Sequence, residues 1–243
     1  MMIDGLELQG RTNVVALGIS TEGVKIPLGL WEGSTENATV ATALLSDLVA
    51  RGLDPEQGIL FVIDGAKALR KAIRNVFGDA PVQRCVRHKE RNVTDHLPER
   101  ERPSVQQRLR RAWALEDHAR ALDQLRQLAR ELDHSYPGAA SSLREGMDET
   151  LTLTRLGVTG SLKRTLESTN PCESMLEIVR RTQRNVKRWS SGEMALRWTA
   201  AGMLEAERQF RKIIGYRDLA KLALAIERGL HRHQTQEVLL TRA

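Results

Sequence analysis

Polar and apolar positions alternate at the start of the chain. Met2, Asp4, Leu6 and Leu8 fall on one side of a strand, with Ile3, Gly5, Glu7 and Gln9 on the other. Gly10-Arg11-Thr12 reads as a turn. Val14 to Ile19 is an almost unbroken apolar run, the pattern of a strand covered on both faces. After Thr21-Glu22-Gly23 a third run sets Val24, Ile26, Leu28 and Leu30 on one face. Pro27 interrupts it and has no N–H to give to a ladder, so this run predicts an edge strand or a bulge. Three successive strands with tight connections predict a meander.

The period then changes. Val40, Ala41, Leu44, Leu45, Leu48 and Val49 recur at helical spacing between Thr35 and Arg51, with Ser34 or Thr35 as the expected N-cap and Gly52 as the stop. Ile59 to Ile63 is a short, wholly apolar run ending at Asp64-Gly65, as in a central buried strand. A helix is expected from Ala66 to Val76, and Pro81 to Val86 reads as a fifth strand. The order β-β-β-α-β-α-β predicts an α/β fold with a mixed five-stranded sheet. From Lys89 onward the pattern is almost entirely helical, and Leu122, Leu125, Leu128, Ala129 and Leu132 form one clear stripe. Pro98, Pro103 and Pro137-Gly138 divide residues 90–165 into several helices. A further helix is expected from Asn170-Pro171 to about Trp189, and two more over 193–214 and 217–232.

The 243 residues are 41% hydrophobic and 28% charged, which excludes wholesale disorder and fibrous repeats. No apolar run is long enough to span a bilayer, and no basic-then-apolar leader opens the sequence. Two cysteines, Cys85 and Cys172, exclude a disulfide scaffold and suit a reducing compartment. The expectation is a soluble cytoplasmic protein. Charge is unevenly divided: residues 1–80 hold 7 basic against 10 acidic residues, and residues 81–243 hold 30 against 21. The whole positive excess lies in the second part, which points to a polyanionic partner there or to solvated Arg-rich helices.

Three acids stand out. Asp4 shares a strand face with Leu6 and Leu8, where an unpaired carboxylate is costly and a cation would offset the cost. A solvated Asp on a frayed strand is the alternative. Asp64 ends a buried run, at the strand end where α/β sheets bind ligands; capping of the next helix explains it equally simply. Glu173 lies in STNPCES, where Asn170 as N-cap, Pro171 and Glu173 make a capping box, yet a first-turn Glu also reaches toward a neighbouring strand end. Together the three carboxylates form the set needed to hold two divalent cations at a scissile phosphate. Such ions take hard oxygen ligands and stabilise both the attacking and the leaving oxygen.

These motifs resemble the catalytic region of the Mutator-type DDE transposases, the family of bacterial insertion-sequence enzymes. The resemblance covers essentially the whole chain. It rests on IDGLELQG around Asp4, LGLWEGSTENATV, LFVIDGAKALRKAIRNVFG around Asp64, VQRCVRHKERNV, and STNPCES leading to RRTQRNVKRW. It implies an RNase H-like fold interrupted by an all-α insertion before the helix that carries the Glu. The implied division is 1–89 for the first part of the catalytic domain, 90–165 for the insertion, 166–214 for its completion and 215–243 for a C-terminal helix and tail. Asp4, Asp64 and Glu173 are the implied catalytic and metal-binding triad, with two Mg²⁺ or Mn²⁺ ions as cofactor.

The family's C-x-x-H motif falls on Cys85 and His88. No second pair completes a zinc site, so they read as packing and positioning beside the active site, with His88 near the scissile phosphate. Arg180, Arg181, Arg184, Lys187 and Arg188 fall on one broad helical face, either a DNA-binding face or a solvated one. Leu176, Val179 and Val186 take the opposite side. Arg108, Arg110, Arg111 and Trp113 are further candidates for DNA contact. The implied partners are transposon-end and target DNA and a second copy of the chain, with no membrane, and the implied place of action is the bacterial nucleoid. The family's N-terminal helices that recognise transposon ends have no counterpart in this sequence, so a truncated version is expected. The expected activity is metal-dependent cleavage at transposon ends and strand transfer of the 3′-hydroxyl. The alternatives are an inactive DNA-binding or oligomerising remnant and a stand-alone nuclease of the same fold.

Overall fold

The computed structural model describes residues 1–8, 10–35, 37–186 and 191–240. Five strands, β1 (Met2–Leu8), β2 (Arg11–Ile19), β3 (Lys25–Glu32), β4 (Phe61–Ile63) and β5 (Val82–Arg84), form one mixed sheet in the order β3-β2-β1-β4-β5. β1, β2 and β3 are the expected antiparallel meander, and β4 and β5 add in parallel beside β1. Helix α1 (Ala38–Ala50) joins β3 to β4, and α2 (Lys67–Phe77) joins β4 to β5.

Six helices follow β5: α3 (Val86–Thr94), α4 (Arg102–Ala114), α5 (His118–Ser135), α6 (Pro137–Arg144), α7 (Thr152–Arg155) and α8 (Gly160–Leu166). Then come α9 (Asn170–Gln183), α10 (Gly192–Gln209) and α11 (Leu219–Leu240). No helix among the described residues is long and apolar enough to cross a membrane.

The alternation of β1 splits the core in two. Ile3, with Val14, Ala16, Phe61 and Ile63, packs under Leu44, Leu45, Leu69 and Ile73 of α1 and α2. Met2 and Leu6 face the other way, with Val15, Leu17 and Val62, against Cys172, Met175, Leu176 and Val179 of α9. Each such fully buried Leu, Ile or Phe contributes about 1.5–3 kcal/mol. The helices α3 to α6 enclose a third apolar cluster that includes Leu109, Trp113, Leu125, Leu128 and Leu143. Helix α10 crosses α9 at Gly202, where a Cβ would come within 2.9 Å of the Val179 Cα.

Pro27 lies on the edge strand and beside a bulge. The register of β2 and β3 shifts between Ala16 and Leu17, so that Leu17 opposes Pro27 and Ala16 opposes Gly29. The extra residue is Leu28. It joins the core under α1, over the bare backbone of Gly18, whereas Leu30 packs on the α9 side. The expected single face of the third run is therefore broken, because a bulge reverses the alternation on one side of itself. Val24 and Ile26 remain exposed.

Helix ends also differ from expectation. The N-cap of α1 is Asn37, whose side chain accepts from the Thr39 and Val40 amides, in place of Ser34 or Thr35. The N-cap of α9 is Thr169, which moves Asn170 and Pro171 one position into the helix. α9 stops at Gln183, well before Trp189. Among the DNA-contact candidates on α4, Trp113 is buried and its Nε1 donates to Thr150 Oγ1 at 3.0 Å. Arg110 makes a two-pronged contact with Glu90, and Arg108 pairs with Glu131. These residues hold the helical layer together; a polyanion would have to displace a carboxylate to reach either arginine.

Candidate active site

β1 and β4 run in parallel with Ile3 opposite Ile63, and the next residue on each is an aspartate. This register, set by two apolar strands, brings Asp4 and Asp64 side by side. Asp4 keeps the inward face of Met2 and Leu6 and is only 7% exposed, so the frayed, solvated alternative does not apply. Its Oδ1 accepts the Gly5 amide at 2.8 Å. Asp64 is half-buried, and its Oδ1 accepts the Ala66 amide at 2.9 Å, so it also shapes the turn into α2.

Glu173 projects from the first turn of α9, the helix that covers the Asp4 side of the sheet. Its Oε1 accepts from the Thr169 hydroxyl at 3.1 Å. The expected reciprocal capping box is thus replaced by a side-chain contact one residue earlier. Asp4 lies within electrostatic reach of Asp64, Glu173 and His88. Burial raises the Asp4 carboxyl from its ordinary 3.8 to about 6; the Gly5 amide and His88 oppose the rise, and the charges of Asp64 and Glu173 add to it.

Cys85 and His88 sit at the start of α3, with His88 beside Asp4 and Asp64. Cys85 is buried, and the Thr169 hydroxyl stands 3.7 Å from its sulfur. Burial pushes the Cys85 thiol up, but the His88 side chain and the His88 and Thr169 backbone amides outweigh it and leave its pKa below the ordinary thiol value. The Cys85 sulfur raises His88 to about 9 against the effect of burial, and the Asp4 and Asp64 charges assist. The raised value favours the imidazolium form of His88 beside the two aspartates. Cys172 is fully buried, and burial, with Asp4 and Glu173, holds its thiol well above the ordinary value, so it is inert packing.

As the side chains stand, no group of three or more His, Cys, Asp or Glu among the described residues is arranged to hold a metal ion. The donor set itself suits a hard cation. It consists of carboxylates, one of them buried among like charges that a bound cation would relieve.

Arg180 and Arg181 are exposed on the last turn of α9, with Arg181 donating to Gln209 on α10, and Arg184 caps its C-terminus. Leu176 and Val179 face the core as expected, and Val186 is half-buried past the helix end. Lys187 and Arg188 lie outside the described residues. Two residues beside the acids carry a signal that composition and motif reading passed over. Thr169 is wholly buried between Glu173 and Cys85. Arg84 is a charge in a three-residue buried strand, the same anomaly that singled out Asp4.

A family model described as Transposase, Mutator family, matches residues 4–212. The chain is 28% identical over 197 residues to a probable transposase for an insertion sequence element of Corynebacterium diphtheriae, covering 80% of this chain and 56% of that protein. It is 30% identical over 217 residues to an insertion-sequence transposase of Rhizobium meliloti, covering 87% of this chain and 54% of that protein. A transposase of an insertion sequence element of Mycolicibacterium smegmatis is 28% identical over 186 residues, covering 74% of this chain and 56% of its own length. The chain spans about half the length of the curated relatives it matches.

Proposed function

Because the chain belongs to the Mutator family of transposases, we propose that it is a DNA-cleaving and strand-transferring catalytic region of the DDE type. The observation that carries this reading is the gathering of Asp4, Asp64 and Glu173, from three distant parts of the sequence, around one buried carboxylate. The sheet order, with helices on both faces and an all-helical stretch between β5 and α9, supports an RNase H-like fold with a helical insertion.

Asp4, Asp64 and Glu173 would hold two Mg²⁺ or Mn²⁺ ions. When bound, such ions supply Lewis acidity at a phosphodiester and an activated oxygen nucleophile, either water or a 3′-hydroxyl. The chain's own contribution is positional. Parallel pairing of β1 with β4 holds the two aspartates in register. The Thr169 hydroxyl orients Glu173 from the helix start, and the basic end of α9 offers Arg180, Arg181 and Arg184 to DNA phosphates. His88, cationic and beside Asp4 and Asp64, would lie next to a phosphate brought to those acids and attract it. The first turn of α3 places it beside the buried Cys85 sulfur.

Transposon-end recognition, pairing of two ends by a homo-oligomer and complete transposition belong to this proposal. Cleavage of a DNA duplex by the chain in Mg²⁺ or Mn²⁺ tests it. Asp64→Ala should abolish cleavage while leaving the circular dichroism spectrum unchanged. Metal-dependent cleavage that survives this change rejects the triad; absence of cleavage by the parent chain, with DNA binding retained, favours a remnant that binds without cutting.

A further inference from the structure

A cleft of about 470 Å³ opens beside Asp64, lined by the first turn of α2 and by Lys67, Arg84, His88, Asn92 and Glu145. Its basic residues come from three successive elements, Lys67 from α2, Arg84 from β5 and His88 from α3. Arg84 is the least expected of them, because it is only 5% exposed. Two glycines with positive φ, Gly65 and Gly146, make room for it: a Cβ at Gly65 would come within 2.0 Å of its Nε, and one at Gly146 within 2.4 Å of a terminal nitrogen. The guanidinium donates to the Glu145 carbonyl at 3.1 Å and to the Glu145 carboxylate at 3.3 Å, while its buried Nε has no partner. The N-cap of α2, Ala66, supplies no capping side chain, and Ala66, Lys67 and Ala68 line the same cleft, leaving first-turn amides without an intrahelical partner beside it.

The Glu145 carboxylate touches both basic side chains, with Lys67 Nζ at 3.6 Å and Arg84 at 3.3 Å, yet its own side chain is 43% exposed. Buried charge is costly when left without a counter-charge, and a half-exposed carboxylate is the least costly one to remove. We propose that the cleft is a binding subsite for a DNA backbone phosphate next to the one at the carboxylates, and that Glu145 holds its place until DNA arrives. The phosphate takes over the contacts of the Glu145 carboxylate with Arg84 and Lys67 and lies on the α2 amides. Glu145 swings into solvent. The subsite rests on the reading of the neighbouring acids as a DNA-cleaving centre, and it would set the direction in which the strand leaves that centre.

The test is the affinity of the full chain for a short DNA duplex, measured by fluorescence anisotropy in EDTA, so that no metal-dependent step enters. Arg84 is left intact because it is buried, and the exposed partners are changed instead. Lys67→Gln should weaken binding about fivefold at low salt. It should also lower the slope of log affinity against log salt by about one. Glu145→Gln should tighten binding by a similar factor, because the competing charge is gone. A Lys67→Gln slope equal to that of the parent chain, or a Glu145→Gln variant that binds no tighter, overturns the subsite. If the subsite fails while Asp64→Ala abolishes cleavage, the catalytic reading stands without it. If Asp64→Ala still cleaves, the catalytic reading fails whatever the affinities show.

Discussion

Replacing Asp4 by Asn should make the metal-free protein more stable at neutral pH. Asp4 is 7% exposed, and its carboxyl is displaced from 3.8 to about 6, chiefly by burial. Each pH unit of displacement corresponds to about 1.4 kcal/mol, so the ionised side chain costs about 3 kcal/mol above both values. The sign follows from proton uptake. Between about pH 4 and 6 the folded chain holds the proton more often than the unfolded chain, so stability falls as pH rises through that window and is level above it.

Asn keeps the acceptor for the Gly5 amide at 2.8 Å but brings an NH₂ that needs a partner, which returns about 1–2 kcal/mol. The expected net gain is therefore about 1–2 kcal/mol, or a rise in melting midpoint of about 2–6 °C for a chain of this size. Urea titrations of both proteins in EDTA read it directly. The gain should be largest at about pH 7.5 and close to zero at about pH 5, where ionisation of Asp4 costs only about half as much and the unpartnered NH₂ offsets it. Added Mn²⁺ should stabilise the parent chain and narrow the gap. An Asn variant that is less stable at neutral pH, or a gap that does not change with pH, would refute the account of a buried, repelled carboxylate.

Two further predictions concern the frame around the site. Gly202→Ala places a methyl 2.9 Å from the Val179 backbone, so α10 must lift from α9; a loss of about 1–3 kcal/mol is expected in a thermal melt. Trp113→Phe removes the buried bond to Thr150 Oγ1 and should cost about 1–3 kcal/mol, read by urea denaturation. No effect on stability would mean that the Trp113–Thr150 hydrogen bond contributes nothing to holding the helical layer.

The periodicity of the sequence carries much of this frame, and its failures have local causes. The alternation of β1 is strict, so the placement of Asp4 among Met2 and Leu6 is legible in the sequence alone. Pro27 announced an irregular edge strand, yet nothing in KIPLGLWE tells whether the bulge falls before or after Leu28, and that one residue decides which core Leu28 and Leu30 enter. At α1 several polar residues, Ser34, Thr35 and Asn37, compete for the cap, and Asn37 takes it. At α9 both Thr169 and Asn170 can cap, and the buried environment between Cys85 and Glu173 selects Thr169.

The cations of the basic stretch from Arg180 repeat at helical spacing and so predict one helix. That spacing belongs to charge and not to burial, and α9 ends where its last core contact, Gln183 against Thr199, is made. The burial of Arg84 is not legible in the sequence, where it simply closes the short run VQR before the C-x-x-H motif. Its role depends on two glycines, one of them distant in sequence, that only the folded chain brings together.

The claim on which the account depends is that Asp4, Asp64 and Glu173 jointly bind divalent cations. Calorimetric titration of Mn²⁺ into the parent chain and into the Asp4→Asn, Asp64→Asn and Glu173→Gln variants measures this directly. The account predicts uptake of two ions by the parent chain and loss of at least one in every variant. Uptake that is absent from the parent chain, or that persists unchanged through all three substitutions, would contradict it.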